Sequence, residues 1–142
     1  MLHLGRISDI SRDYDENWLI VRSVKQVPRN AVQVSALSPS TSLFYKYLDA
    51  KKAGRFDGAW FQSVYVPTFL REVIANQDAR SLLNQLYAES RRKSILLACF
   101  CPNESLCHRS IVAGLLLGAG ADIDCDPSYR KYFDLYKSML RA

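Results

Sequence analysis

The chain has no apolar run long enough to cross a bilayer. Its two longest, SILLACF (residues 94–100) and IVAGLLLGAGA (residues 111–121), fall short of the ~20 residues a membrane helix needs. No basic stretch followed by an apolar core and a cleavage site opens it, so the expectation is a cytoplasmic protein away from membranes. A disulfide framework is also missing. Four cysteines occur among 142 residues and three of them crowd into one loop, which suits free thiols in a reducing compartment. There is no internal repeat, low-complexity tract or interdomain linker, so residues 1–142 read as one domain with room for a sizeable core. Nor is charge of one sign dominant. The net charge of +5 leans only mildly toward polyanionic partners, and twelve arginines against seven lysines lean toward planar recognition of phosphate.

What is present is a pattern of alternating element types. Trp18–Val24 (WLIVRSV) and Ala31–Leu37 (AVQVSAL) read as strands separated by a turn with Pro28 and Asn30, and a short first strand surrounds His3 and Leu4. The carboxylates Asp13, Asp15 and Glu16 precede the second strand as a solvated turn. Ser38-Pro39-Ser40 then starts a helix over about 41–53, with Leu43, Phe44, Tyr47 and Leu48 on one side and Gly54 at its end. The same stripe returns at Phe69, Leu70, Val73 and Ile74 after Pro67. It recurs at Leu82, Leu83, Leu86 and Tyr87 in a helix over about 79–92 capped by Asp78, and at Ile111, Val112, Leu115 and Leu116. Residues 55–66 (RFDGAWFQSVYV) fit a loop with one helical turn or a short strand near 63–66. A last helix follows Asp126-Pro127, with Tyr129, Tyr132, Phe133, Tyr136 and Leu140 on one side.

The strand Ser94–Cys99 is apolar on both faces, as a strand covered on both sides must be. The expected fold is therefore a single-domain α/β, Rossmann-like three-layer sandwich with a mostly parallel sheet. In such folds ligands bind beyond the carboxyl ends of the strands. Two loops should meet there, the serine loop after Leu37 and the cysteine loop after Cys99.

The cysteine loop gathers Cys99, Cys101, Cys107, His108 and Arg109 into eleven residues and opens a helix. A helix start offers unpaired N–H groups and partial positive charge, and Arg109 in its first turn opposes that dipole unless an anion lies between them. The expected ligand site therefore comprises the backbone of Leu106, Cys107 and His108 with Arg109, and Ser38 and Ser40 across the crevice. Cys101, Cys107 and His108 are the candidates for chemistry, since a helix start and a cation depress a thiol's pKa. His108 equally suits a core-edge ring bonded to a backbone carbonyl. Arg109 equally suits a brace to Glu104, Asp122 or Asp124. A phosphatase-type loop is disfavoured, because Cys101 and Arg109 lie eight positions apart and the loop lacks glycine.

An apolar strand, a cysteine loop and Cys107-His108-Arg109 opening a helix resemble the signature of the domain of unknown function 488 family. Tyr65-Val66-Pro67-Thr68-Phe69-Leu70 and Leu37-Ser38-Pro39-Ser40 resemble its other segments, so the likeness spans about residues 31–120. Many relatives end the earlier strand with Asp-Val-Arg, where this chain has Val34, Ser35 and Ala36. The resemblance implies a compact Rossmann-like fold and no reaction.

Three functions follow as expectations. The first is binding, with or without processing, of a phosphate-bearing ligand, best a nucleotide, at loop 99–109. The second is a non-enzymatic nucleic-acid-associated protein using Lys46, Lys51, Lys52 and Arg55 beside Tyr45, Phe56, Trp60 and Phe61, with Arg130, Lys131, Lys137 and Arg141 on the last helix. The third is a thiol redox or metal module. Against a metal stand the short Cys99-x-Cys101 spacing and the poor mutual aim of adjacent Cys107 and His108, so neither a metal nor another cofactor is expected.

Overall fold

A computed structural model describes residues 1–142. Five strands form one sheet: β1 (Leu2–Arg6), β2 (Glu16–Leu19), β3 (Ala31–Gln33), β4 (Ile95–Cys99) and β5 (Ile123–Asp124), in the order β3-β2-β4-β1-β5. Every pairing is parallel. β4 lies at the centre because it is the strand without a polar residue, and all five of its residues are buried. Its first four side chains alternate between two cores. Ile95 and Leu97 enter a cluster of 23 residues, whereas Leu96, Ala98 and Cys99 enter a smaller one.

The larger core is where the helices dock. Residues of α1 (Thr41–Lys52), α3 (Val66–Ala75), α4 (Gln77–Glu89), α5 (His108–Ala119) and α6 (Arg130–Arg141) all join it. The smaller cluster is closed by a 3-10 turn at Ile7–Asp9 and by Ile10, Tyr14 and Val24. The chain is a Rossmann-like α/β sandwich, and β3 and β4 are near neighbours with β2 between them.

Several local readings are corrected. The second strand begins at Glu16 and ends at Leu19, and the third stops at Gln33. Val34 N–H makes the last ladder bond, to Leu19 O at 2.9 Å. Leu37 and Ser38 then bond back to Val34 O and Ser35 O, a turn that puts Leu37 into the core. The cap of α4 is Asn76, which accepts from Ala79 N at 3.2 Å; Asp78 sits in the first turn, where its charge suits the dipole.

Residues 58–65 are helical rather than a strand. Asp57 caps the short helix α2 (Gly58–Trp60), and a π-helical stretch, Phe61–Tyr65, carries it into α3. Val66 N–H reaches back five residues to Phe61 O. Pro67 cannot donate to the preceding turn, and the widened turn lies immediately before it. Ser40 caps α1 by accepting from Leu43 N at 3.1 Å, as its position after a proline suggests.

Of the three carboxylates, Asp13 and Asp15 are exposed as expected, and Glu16 is the first residue of β2. Asp15 accepts from Ser94 N at 2.8 Å, and Glu16 pairs with Lys93 at 2.7 Å, so both fix the start of β2 against β4.

Candidate functional site

Because the sheet is wholly parallel, the ends of β2, β3 and β4 open onto one edge. There the chain encloses a cavity of about 390 Å³. The serine loop and the cysteine loop do meet across it. Pro39 and Thr41 contribute one wall, and Cys99, Phe100, Cys101, Leu106, Cys107 and His108 contribute the floor and the other. Phe44, Tyr45, Tyr47 and Tyr65 complete an aromatic lining, with Arg22 as its cation. Phe44, Tyr45 and Phe100 are 46%, 60% and 50% exposed, an unusual set of large rings for water to meet unless something covers them. Tyr65 differs: it is 6% exposed, lines the cavity, and its hydroxyl finds no protein partner. Burial raises its pKa well above the ordinary value, with further help from the nearby sulfurs, so it remains a hydrogen-bond donor.

The floor is sulfur. The Sγ atoms of Cys99, Cys101 and Cys107 all lie within 4.8 Å of one another, and Cys99 and Cys101 are 3.8 Å apart. All three are free thiols. Burial alone would push the Cys107 thiol up. Hydrogen bonds from Cys101 and Cys99 and the guanidinium of Arg109 outweigh it and hold Cys107 well below its usual range. Cys101 moves the opposite way, raised first by its bond with Cys107, then by Cys99 and burial. Cys125 lies elsewhere, half-buried, and burial lifts it to about 11.

Arg109 explains much of this arrangement. It is 1% exposed, and no carboxylate lies within ion-pair distance of it. Its Nη1 donates to Gly5 O, its Nη2 to Cys101 O at 2.6 Å, and its Nε to Cys107 Sγ at 3.4 Å. The side chain ties β1, the cysteine loop and α5 together. The expectation that Arg109 reaches a ligand is therefore corrected: its donors are turned inward, toward carbonyls and sulfur. The expected braces are engaged elsewhere, Glu104 by Tyr129 Oη at 2.8 Å, Asp122 by the N-terminus, and Asp124 by His3.

Two of the three backbone donors expected to hold an anion, those of Leu106 and Cys107, are also occupied. Leu106 N–H bonds Asn103 O at 3.2 Å and Cys107 N–H bonds Glu104 O at 3.1 Å, closing a 3-10 turn ahead of α5. His108 is buried, with Nε2 2.7 Å from Ile20 O and Nδ1 3.6 Å from Cys107 Sγ. A carbonyl can only accept, so Nε2 carries the proton and Nδ1 faces the sulfur. Burial lowers the ring's pKa and keeps it neutral. Ser38 Oγ donates to Ser35 O at 2.5 Å, and Ser40 donates through both N–H and Oγ to the Glu72 carboxylate. Neither serine lines the cavity.

Of the basic and aromatic surface, Phe61 is fully buried and Phe56 and Trp60 pack on the core. Lys51 lies over the Tyr47 ring, and Lys131 and Lys137 lie over Tyr132 and Phe133. Sequence reasoning missed Arg22, Phe44, Tyr65 and Phe100 as lining residues. Their only sequence signal was proximity to strand ends and helix starts, and Phe44 counted there as a core residue.

A family model described as "Active DUF488-N3 subclade" matches residues 4–120. No curated protein and no solved structure matches the chain.

Proposed function

The chain belongs to the DUF488 family, in the N3 subclade described as active, and we propose that it binds a small nucleotide-like ligand in the cleft above the sulfur cluster. The observation that carries this reading is the lining itself: exposed rings at the mouth over a largely buried Tyr65 ring that also lines the cavity. A flat heterocycle suits such walls, because base–aromatic stacking contributes about 1–3 kcal/mol per ring. Tyr65 Oη supplies the polar contact that orients it. Arg22 is tethered through Nε to Pro39 O at 2.8 Å, which leaves its outer nitrogens to meet an anionic group at the mouth. The phosphate end of the ligand thus sits at Arg22, not at Arg109.

Calorimetry with nucleosides, nucleotides and inorganic phosphate tests this. Nucleotides should bind, nucleosides more weakly, and phosphate alone not measurably. Phe44→Ala and Phe100→Ala should each weaken binding by about 1–3 kcal/mol without changing the melting temperature of the free protein. No binding by any nucleotide at millimolar concentration, or equal binding by both alanine variants, overturns the reading. Oligonucleotide binding with a steep salt dependence would instead support the nucleic-acid alternative.

A further inference from the structure

We propose that Cys99, Cys101 and Cys107 hold one zinc-class divalent ion through three thiolates, with the fourth coordination position facing the cavity. The three sulfurs come from a strand end, a loop and a helix start, yet converge within 4.8 Å. Two sulfurs at a tetrahedral zinc, each about 2.3 Å from the ion, lie about 3.8 Å apart. Cys99 and Cys101 already stand at 3.8 Å. No carboxylate joins the cluster, so hard cations that need oxygen find no donors, and sulfur selects a thiophilic ion.

Charge points to a dication. Three thiolates and a divalent ion sum to one negative charge. Arg109, buried and without a carboxylate, supplies one positive charge at 3.4 Å from Cys107 Sγ. The buried assembly is then neutral, as a low-dielectric site requires. Copper(I) in the same place would leave a negative charge unbalanced. Arg109 also donates to Cys101 O, an outer contact of the kind that orients metal ligands.

The sequence expectation of no metal rested on the short Cys99-x-Cys101 spacing, which the 3.8 Å between those sulfurs answers, and on the poor mutual aim of Cys107 and His108. The latter objection is met because His108 is not a member of the set: it is held by Ile20 O, and the three thiols suffice. With Arg109 and the smaller core behind the sulfurs, their open side is the cavity that all three line. Three protein ligands with an open position are the arrangement of catalytic rather than closed structural zinc. The inference does not depend on which ligand enters the cleft.

The test uses the full chain, purified reduced and without oxygen, loaded with zinc and dialysed against a weak chelator. Metal analysis should give one zinc per chain. Cys99→Ser, Cys101→Ser and Cys107→Ser should each weaken zinc binding by roughly 100-fold or more, since loss of mere outer-sphere partners costs 10–100-fold. Cys125→Ser should retain the metal. Should the serine variants fail to fold, cobalt(II) in the wild type should show intense sulfur-to-metal charge transfer, and cadmium-113 NMR should report three sulfurs. Zinc lost from the wild type on dialysis overturns the proposal, as does equal retention by folded serine variants or a spectrum of fewer than three sulfurs. Phe44→Ala and Phe100→Ala should keep the metal, so the ligand reading and the metal reading fail separately.

Discussion

A cation in the first turn of a helix faces the wrong end of the dipole, and in Arg109 that conflict is resolved by sulfur rather than by a ligand. Its guanidinium bridges Gly5 O, Cys101 O and Cys107 Sγ while almost wholly buried. Arg109→Ala should therefore unfold more easily. It removes the donor from the carbonyls of Gly5 and Cys101 and from the Cys107 sulfur and opens a void, at a cost on the order of 3 kcal/mol. Arg109→Lys should not restore the loss, because a single ammonium cannot reach three divergent acceptors. Urea unfolding of both variants checks this; an alanine variant as stable as wild type would show that the side chain is not a staple. Tyr65 is the converse case, a largely buried ring whose hydroxyl bonds no protein group and lines the cavity. Tyr65→Phe should leave stability unchanged or slightly raised and weaken nucleotide binding by about 0.5–1.5 kcal/mol, the net worth of a neutral hydrogen bond. Calorimetry beside a melting curve separates the two effects.

Helices α5 and α6 cross so closely that two glycines of α5 leave no room for a side chain. A Cβ on Gly114 would lie 2.0 Å from Tyr129 O, and one on Gly118 would lie 2.1 Å from Phe133 Cγ. Helix propensity alone favours alanine over glycine by about 1 kcal/mol. Overpacking against backbone costs about 1–3 kcal/mol or more, so Gly114→Ala should destabilise and lower the melting temperature. A rise would show that α6 shifts freely. None of this was visible in the stripe Ile111, Val112, Leu115 and Leu116, which marked one buried face, whereas α5 buries His108 to Leu116 without interruption. The apolar stripe of α3 was legible because one face of it meets water, whereas Phe44 of the α1 stripe and Tyr87 of the α4 stripe are exposed. The strand limits were less legible. Val21 and Val24 belong to the smaller core yet lie outside the ladder, and Gln33 Nε2, not a neighbouring strand, satisfies Val21 O and Arg22 O. Residues 58–65 misled for a similar reason: β-branched and aromatic residues there serve a helix that buries Phe61 and Tyr65.

Parallel topology gives the whole molecule two chemically different edges. At the carboxyl edge the cavity collects sulfur and aromatic rings; at the other, charge pairs hold the strand starts in register. The cavity's position followed from strand order, so the loops that meet there were legible. The direction in which each side chain turns was not, because Arg109 and Ser40 are decided by carbonyls and a carboxylate from distant segments and Ser38 by the carbonyl of its own turn. At the opposite edge Glu16 opens β2, accepts from Lys93 at 2.7 Å and from Trp18 Nε1 at 3.0 Å, while Lys93 also reaches Glu89 at 3.5 Å. These contacts, the Lys93 bond first, hold the Glu16 carboxyl below its ordinary range despite partial desolvation. The unfolded chain, whose glutamate titrates near about 4.3, then takes up a proton before the folded one. The stabilisation is complete above that ordinary value and disappears as the pH falls through the lowered folded value. Stability should thus rise with pH across this acid window, modestly because the pair is solvent-screened. Glu16→Gln should flatten that part of the profile, reduce its salt sensitivity and leave stability near neutral pH slightly lower. Urea midpoints from pH 3 to 7, at low and high salt, measure it; an unchanged slope in Glu16→Gln would show that the pair does not help set the register of β2 against β4.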